Sequence, residues 1–176
     1  ALHDENIEFV TRAMEAGKQL NRMFEQAVSS GEISIDDLFD DNYVAIPGTA
    51  PTQYRTRALD WADRTLPAFQ EAFLAKDPRM VFCVMIDRNG YLPVHNRIYS
   101  QPQRPGDEAW NMANSRNRRI FNDAAGLAAG RNTRSYLIQS YARDMGKGVT
   151  VMMREIDVPV AVRGRHWGGF RTAYKL

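Results

Sequence analysis

The run Met80-Val81-Phe82-Cys83-Val84-Met85-Ile86, closed by Asp87-Arg88-Asn89-Gly90, constrains this chain more than any other feature. An apolar stretch this short, bounded by turn residues, reads as a buried strand rather than a helix. Asn-Gly favours positive φ and turns a strand back antiparallel on itself. A hairpin is therefore expected in mid-chain, with Tyr91 to Asn96 as its return strand. Three more strands are expected later, at 134–142, 148–162 and 166–174, with Arg163-Gly164-Arg165 as the last hairpin turn.

The first half reads as helix. Ile7, Val10, Met14, Gly17, Leu20, Phe24 and Val28 recur at three- and four-residue steps, which puts them on one face of a helix over 4–30. Asp4 suits its N-cap and Gly31 its stop. Phe9 and Met23 lie off that stripe and give the helix a second apolar edge. The stripe serves either packing on its own domain or pairing with a second chain. Ser34 suits the cap of a short helix over Ile35 to Phe39, and Ile46-Pro47-Gly48-Thr49-Ala50-Pro51 forces irregular backbone. A second long helix is expected over 54–75, kinked or broken at Pro67. Between hairpin and late strands, 101–107 reads as loop, 108–121 as helix and 122–132 as a glycine-containing loop. The order predicts an α+β domain: an antiparallel sheet of about five strands with a helical crossover, preceded by a long N-terminal helix. The expected division is a signalling or dimerisation helix at 1–31 and a sensor domain at 32–176.

Composition narrows the function classes. A chain of 176 residues suits one domain, and 44% apolar with 25% charged residues is an ordinary globular balance. A net charge of +2 gives no nucleic-acid footprint. No apolar run approaches the roughly 18 residues that span a bilayer. The start of the chain lacks the basic-then-apolar pattern of a signal peptide. Cys83, the lone cysteine, has no internal disulfide partner and reads as a small core residue, which fits a reducing compartment.

Catalytic signals are sparse, and a non-enzyme is expected. His3, His95 and His166 have no companions at metal-ligand spacing. There is no nucleophile elbow, phosphate-cradling glycine loop or zinc-protease pair. His95, at a strand end, reads as a satisfied structural residue. No cofactor is expected; the alternative is a haem gas or redox sensor with haem held non-covalently through His95 or His166. Three clusters mix cations, amides and aromatics: Asn117-Arg118-Arg119-Ile120-Phe121-Asn122-Asp123; Arg131-Asn132-Thr133 with Tyr136, Gln139, Tyr141, Arg143 and Asp144; and Arg165-His166-Trp167-Gly168-Gly169-Phe170-Arg171. Directional donors around an apolar floor specify a small-molecule pocket; the bland alternative is that they brace the sheet through ion pairs. Strand alternation puts Leu137, Gln139 and Tyr141 on one face and Tyr136, Ile138 and Ser140 on the other.

The same segments carry a family likeness. Asp87-Arg88-Asn89-Gly90-Tyr91-Leu92-Pro93-Val94-His95-Asn96 resembles the central hairpin of PAS/Cache-like sensor domains of bacterial methyl-accepting chemotaxis proteins. Arg119 to Ala129, Gln139-Ser140-Tyr141-Ala142-Arg143-Asp144-Met145-Gly146 and Gly164 to Arg171 resemble further segments of that family, as do Leu38 to Tyr43 and Ile46 to Thr49. The likeness spans 20–174. It implies a ligand sensor, usually dimeric, that acts through a signalling coiled coil on a chemotaxis adaptor and kinase. A cytoplasmic location is expected, with a periplasmic sensor region as the alternative.

The expected ligand is small and polar, a carboxylate or other anion or an amino acid, held on one face of the sheet under the crossover. Arg119, Arg131, Tyr141 and Arg143 are the expected donors, with Trp167 and Tyr91 as walls. Asp123 and Asp144 would receive an amine or orient the arginines. A buried guanidinium is costly unless paired, so arginines in excess of carboxylates call for an anion.

Overall fold

The computed structural model describes residues 4–144 and 148–176, without the side chains of 4, 5 and 144. His3, the Met145-Gly146 end of the family-like segment and the side-chain roles expected of Asp4 and Asp144 lie outside the described residues.

Helix α1 (Asp4–Ser29) buries Phe9, Val10, Ala13, Ala16, Leu20, Phe24 and Ala27. This face is rotated from the expected stripe: Phe9 is part of it, Ile7 is 46% exposed, and Ala13 and Ala16 sit near its centre. The small residues decide the rotation, because they let α1 lie close on the sheet. A side chain at Gly17 would meet Val158 Cγ2 at 3.2 Å. The buried face is thus covered by the chain's own domain, and a dimer would have to use another face. Gly31, at φ 77°, ends the helix, with Glu32 N–H returning 2.9 Å to Ala27 O.

Ser34 caps α2 (Ile35–Leu38) by accepting from Asp37 N–H at 3.1 Å. The irregular segment is clipped by a two-residue ladder of β1 (Val44–Ala45) with β2 (Tyr54–Arg55). Helix α3 (Leu59–Leu74) runs through Pro67 without a break. Proline there removes one backbone bond, and buried Leu66, Gln70 and Phe73 beyond and before it hold both halves on the sheet. The Gln70 amide joins helix to strand: Nε2 donates to Val94 O and Oε1 accepts from Met85 N–H.

The apolar run is β3 (Met80–Asp87), buried except at Val81. Cys83 is a core residue, its Sγ donating to Gln70 O, with burial pushing the thiol up to about 12. The turn after β3 forms, but the hairpin does not. Asp87 Oδ1 accepts from Asn89 and Tyr91 N–H, curling the chain away, so β4 (Tyr91–Leu92) pairs with β5 (Arg119–Ile120) instead of β3. The main sheet therefore has four strands, ordered β3-β8-β7-β6 and antiparallel throughout, with β6 (Leu137–Asp144), β7 (Thr150–Val162) and β8 (Arg165–Lys175) forming the expected meander.

The crossover also differs from expectation. Its first helix, α4 (Glu108–Asn114), stops early because Ser115 bonds Gln101 O and bridges Ser100. The segment read as a loop is α5 (Ala124–Arg131). Its glycines serve close packing: a side chain at Gly130 would lie 2.3 Å from Asp87 O. On β7, Ile156, Val158 and Val160 join the core cluster with α1 and α3, while Glu155 and Asp157 point the other way, under the crossover.

Candidate functional site

Crossover and sheet enclose a cavity of about 500 Å³. Strand β3 supplies Phe82 and Val84, β6 supplies Tyr141 and Arg143, and β8 supplies Arg171. The crossover closes it with His95, Arg116, Phe121 and the first residues of α5.

Its floor is a buried polar network. Arg171 grips Glu155 with two bonds, Nε to Oε2 at 2.7 Å and a terminal nitrogen to Oε1 at 2.8 Å. Tyr141 donates its hydroxyl to Glu155 Oε1 at 2.8 Å. Glu155 and Asp157 are both 0% exposed. Burial, then the neighbouring Glu155 charge, raises Asp157 well above the usual carboxylate range. Burial raises Glu155 too, but Arg171 and the hydrogen bonds outweigh it and hold Glu155 ionised. Gln139 Nε2 donates to Asp157 Oδ2 at 2.9 Å, whereas Oδ1 meets no donor. A proton on Asp157, shared with Glu155, accounts for both facts. The floor is then neutral: one carboxylate against the Arg171 guanidinium.

The walls are not neutral. Arg116 and Arg119 both donate to Met112 O, at 3.1 and 3.2 Å, and both guanidinium groups lie over the Phe121 ring, at 5.1 and 4.8 Å. Arg143 lies over Phe82 and Tyr99, at 5.8 and 5.6 Å. None of the three has a carboxylate within ion-pair distance among the described residues. Burial, together with Arg143, Arg119 and Arg171, pushes Arg116 down to about 10. Burial also lowers Arg119. His95 is 5% exposed and its Nδ1 accepts from Asn96 N–H at 2.8 Å, so the proton of the neutral ring sits on Nε2. Burial and the surrounding arginines hold that imidazole well below its ordinary value. Asp123 occupies the N-cap position of α5 but makes no side-chain bond to the first turn.

Of the residues expected at a site, the cavity brings together Tyr141, Arg143 and Asp123, with Arg119 beside Arg116 on Phe121. Three others lie elsewhere. Arg131 is exposed, its Nε on Arg88 O at 3.1 Å. Tyr91 is buried, its hydroxyl on Tyr54 O at 2.7 Å. Trp167 is on the opposite face of the sheet, with Nε1 on Leu38 O at 3.1 Å and its ring edge-on to Phe24. A register shift between Val160 and Ala161 offsets the strand ends, so Trp167 and Arg171 face opposite ways despite their even spacing.

Sequence reasoning missed Arg116, Glu155 and Asp157, and read His95 as a structural residue with haem ligation as the alternative. Carboxylates at alternate positions of an otherwise apolar strand, Glu155-Ile156-Asp157, were a usable signal. Arg116 had none, because its segment read as helix. His166, one of two residues considered for haem, puts Nε2 on Gly130 O at 2.7 Å; only His95 lines the cavity. Among the described residues no three His, Cys, Asp or Glu side chains are grouped to hold a metal ion, and no helix is long and apolar enough to cross a membrane.

No protein-family model and no curated protein matches this chain. Among solved structures, an extracellular ligand binding receptor from Desulfohalobium retbaense DSM5692 aligns with 99% of this chain at 12% identity and a TM-score of 0.37. The chain spans about a quarter of that receptor, 26% of its length. A likeness this distant says nothing about what the present chain binds.

Proposed function

We propose that this chain is the PAS/Cache-like ligand-sensing part of a chemotaxis receptor, and that it binds a small anion in the cavity between crossover and sheet without transforming it. One observation carries the reading: Arg116 and Arg143 line a half-enclosed cavity, Arg119 lies beside Arg116 over the Phe121 ring, and none of the three has a carboxylate within ion-pair distance among the described residues. Charges so placed repel one another and are poorly solvated, and an anion relieves both costs. Phe82, Val84 and Phe121 give the apolar surround that such sites use for orientation and fit. Against catalysis stands the commitment of the acid–base groups: Glu155 is held by Arg171 and Tyr141, and His95 Nδ1 by the backbone.

Signalling follows from the layering. A ligand that draws the crossover onto β6 strains the sheet, whose other face carries α1 through β7. Coupling of about 1–3 kcal/mol is typical of such switches. A signalling region joined to α1 would pass the shift to an adaptor and kinase, with two copies paired through a face of α1 other than the buried one. Isothermal titration of the chain with a panel of small carboxylates, amino acids and phosphates tests the reading. An anion should bind and should lose roughly tenfold or more in affinity in Arg143→Ala, the size of one strong charge-assisted bond. Equal binding by Arg116→Ala and Arg143→Ala would sink the assignment.

A further inference from the structure

Resting on the anion reading above, we infer that the group seated in the cavity is a doubly ionised phosphoryl group, free or esterified. Three features of the charge distribution point to it.

The first is the amount of charge. With Arg171 cancelled by Glu155 and the proton on Asp157, the Arg116 and Arg143 cations of the lining and the Arg119 cation beside Arg116 over Phe121 stand against the Asp123 carboxylate at the mouth. One carboxylate on a ligand leaves that excess half answered; a phosphoryl dianion answers it.

The second is its concentration. Arg116 and Arg119 share one carbonyl acceptor and one aromatic ring, so their charges lie side by side. A dicarboxylate brings its two charges separated by its carbon chain. A phosphoryl group brings both on three oxygens around one atom and accepts hydrogen bonds from several sides at once.

The third is independent of the arginines. Helix α5 opens on the same cavity, with Ala124 and Ala125 in its lining and no side chain bonded to its first-turn N–H groups. An open helix start beside guanidinium groups suits tetrahedral anions, through both the exposed N–H groups and the helix dipole. Asp123, exposed at the mouth and making no cap bond, faces any hydroxyl or amine on an ester's organic part, while Phe82 and Val84 receive its carbons.

The test uses the chain as it stands, titrated at pH 8 and pH 5 with inorganic phosphate, glycerol 3-phosphate, phosphoethanolamine, succinate and aspartate. Phosphoryl compounds should bind about tenfold or more tighter than succinate at pH 8. The affinity should fall roughly tenfold at pH 5, below the second phosphate ionisation near about 6. Arg116→Gln and Arg143→Gln should each lose that binding, whereas Arg131→Ala should keep it. Glycerol 3-phosphate or phosphoethanolamine ahead of inorganic phosphate identifies an ester; the reverse order identifies the free ion. Arginine-dependent binding of succinate or aspartate at least as tight as any phosphate overturns the phosphoryl assignment and leaves the anion cavity standing. Absence of binding by every anion overturns both.

Discussion

The two faces of the central sheet are built from the same strands and do opposite work. Toward α1 and α3, the sheet presents Ile156, Val158, Val160, Phe170 and Tyr174, and the helices answer with Leu20, Phe24, Phe73 and the stacked ring of Phe9. Toward the crossover, the same strands present Tyr141, Arg143, Glu155, Asp157 and Arg171. The first face is filled and apolar. The second is polar, tightly bonded at its floor and open above it. Strand alternation makes this division possible: each residue on one face has neighbours on the other, so apolar packing and polar bonding fall to interleaved positions of one element. The lesson is that surplus charge on the second face is tolerated because the first face holds the fold.

That contrast predicts a graded series of effects. The largest belongs to the apolar face. Phe24 is fully buried, edge-on to both Trp61 and Trp167, and Phe24→Ala should cost about 3–5 kcal/mol in thermal or urea unfolding. A cost under about 1 kcal/mol would mean that α1 is not integral to the core. Next is the floor of the cavity. Arg171→Met strands Glu155 as a buried charge and should cost about 3 kcal/mol or more, with much of the loss recovered in the double variant Arg171→Met/Glu155→Leu. If the double variant is no better than the single one, the arginine acts through packing and not through its pairing.

A smaller effect, with a pH signature, belongs to Asp157. Its carboxyl is raised in the folded chain, so its contribution to stability is present below the unfolded value near about 4 and is lost as pH rises through the folded value. Asp157→Asn keeps a donor for Glu155 and an acceptor for Gln139 and removes the ionisable group. The variant should gain on the wild type as pH rises above about 4, by about 1 kcal/mol or more at neutral pH. A difference that stays flat between pH 4 and 8 would remove the shared proton from the account.

The apolar face was the easier one to read from sequence. Period-four spacing located α1 and α3, and apolar runs located β3, β7 and β8, because burial leaves a periodic mark. The misreadings occur where one side-chain bond or one close approach outweighs local pattern. Asp87 curls the hairpin return into β4, a bond between Ser115 and Gln101 ends α4, and glycines that look like loop residues let α5 lie on Asp87 and Phe121. The site was half legible. Alternation put Tyr141 on one face of its strand and Arg143 came from the cation-rich cluster that follows, whereas Trp167, expected as a wall, faces the other way because a register shift offsets the strand ends. Arg116 enters the cavity only because the crossover folds back, which no local spacing encodes.

Unliganded stability and the proposed anion binding make opposite demands on Arg143, and its thermal unfolding midpoint reads both. In buffer with little anion, Arg143→Gln relieves repulsion with Arg116 and should unfold at or above the wild-type temperature. As phosphate is titrated in, the wild type should rise by mass action while the variant stays level, so the two curves cross. A variant that unfolds below the wild type at every anion concentration, with parallel curves, would make Arg143 a structural brace and contradict the assignment of this face to a ligand.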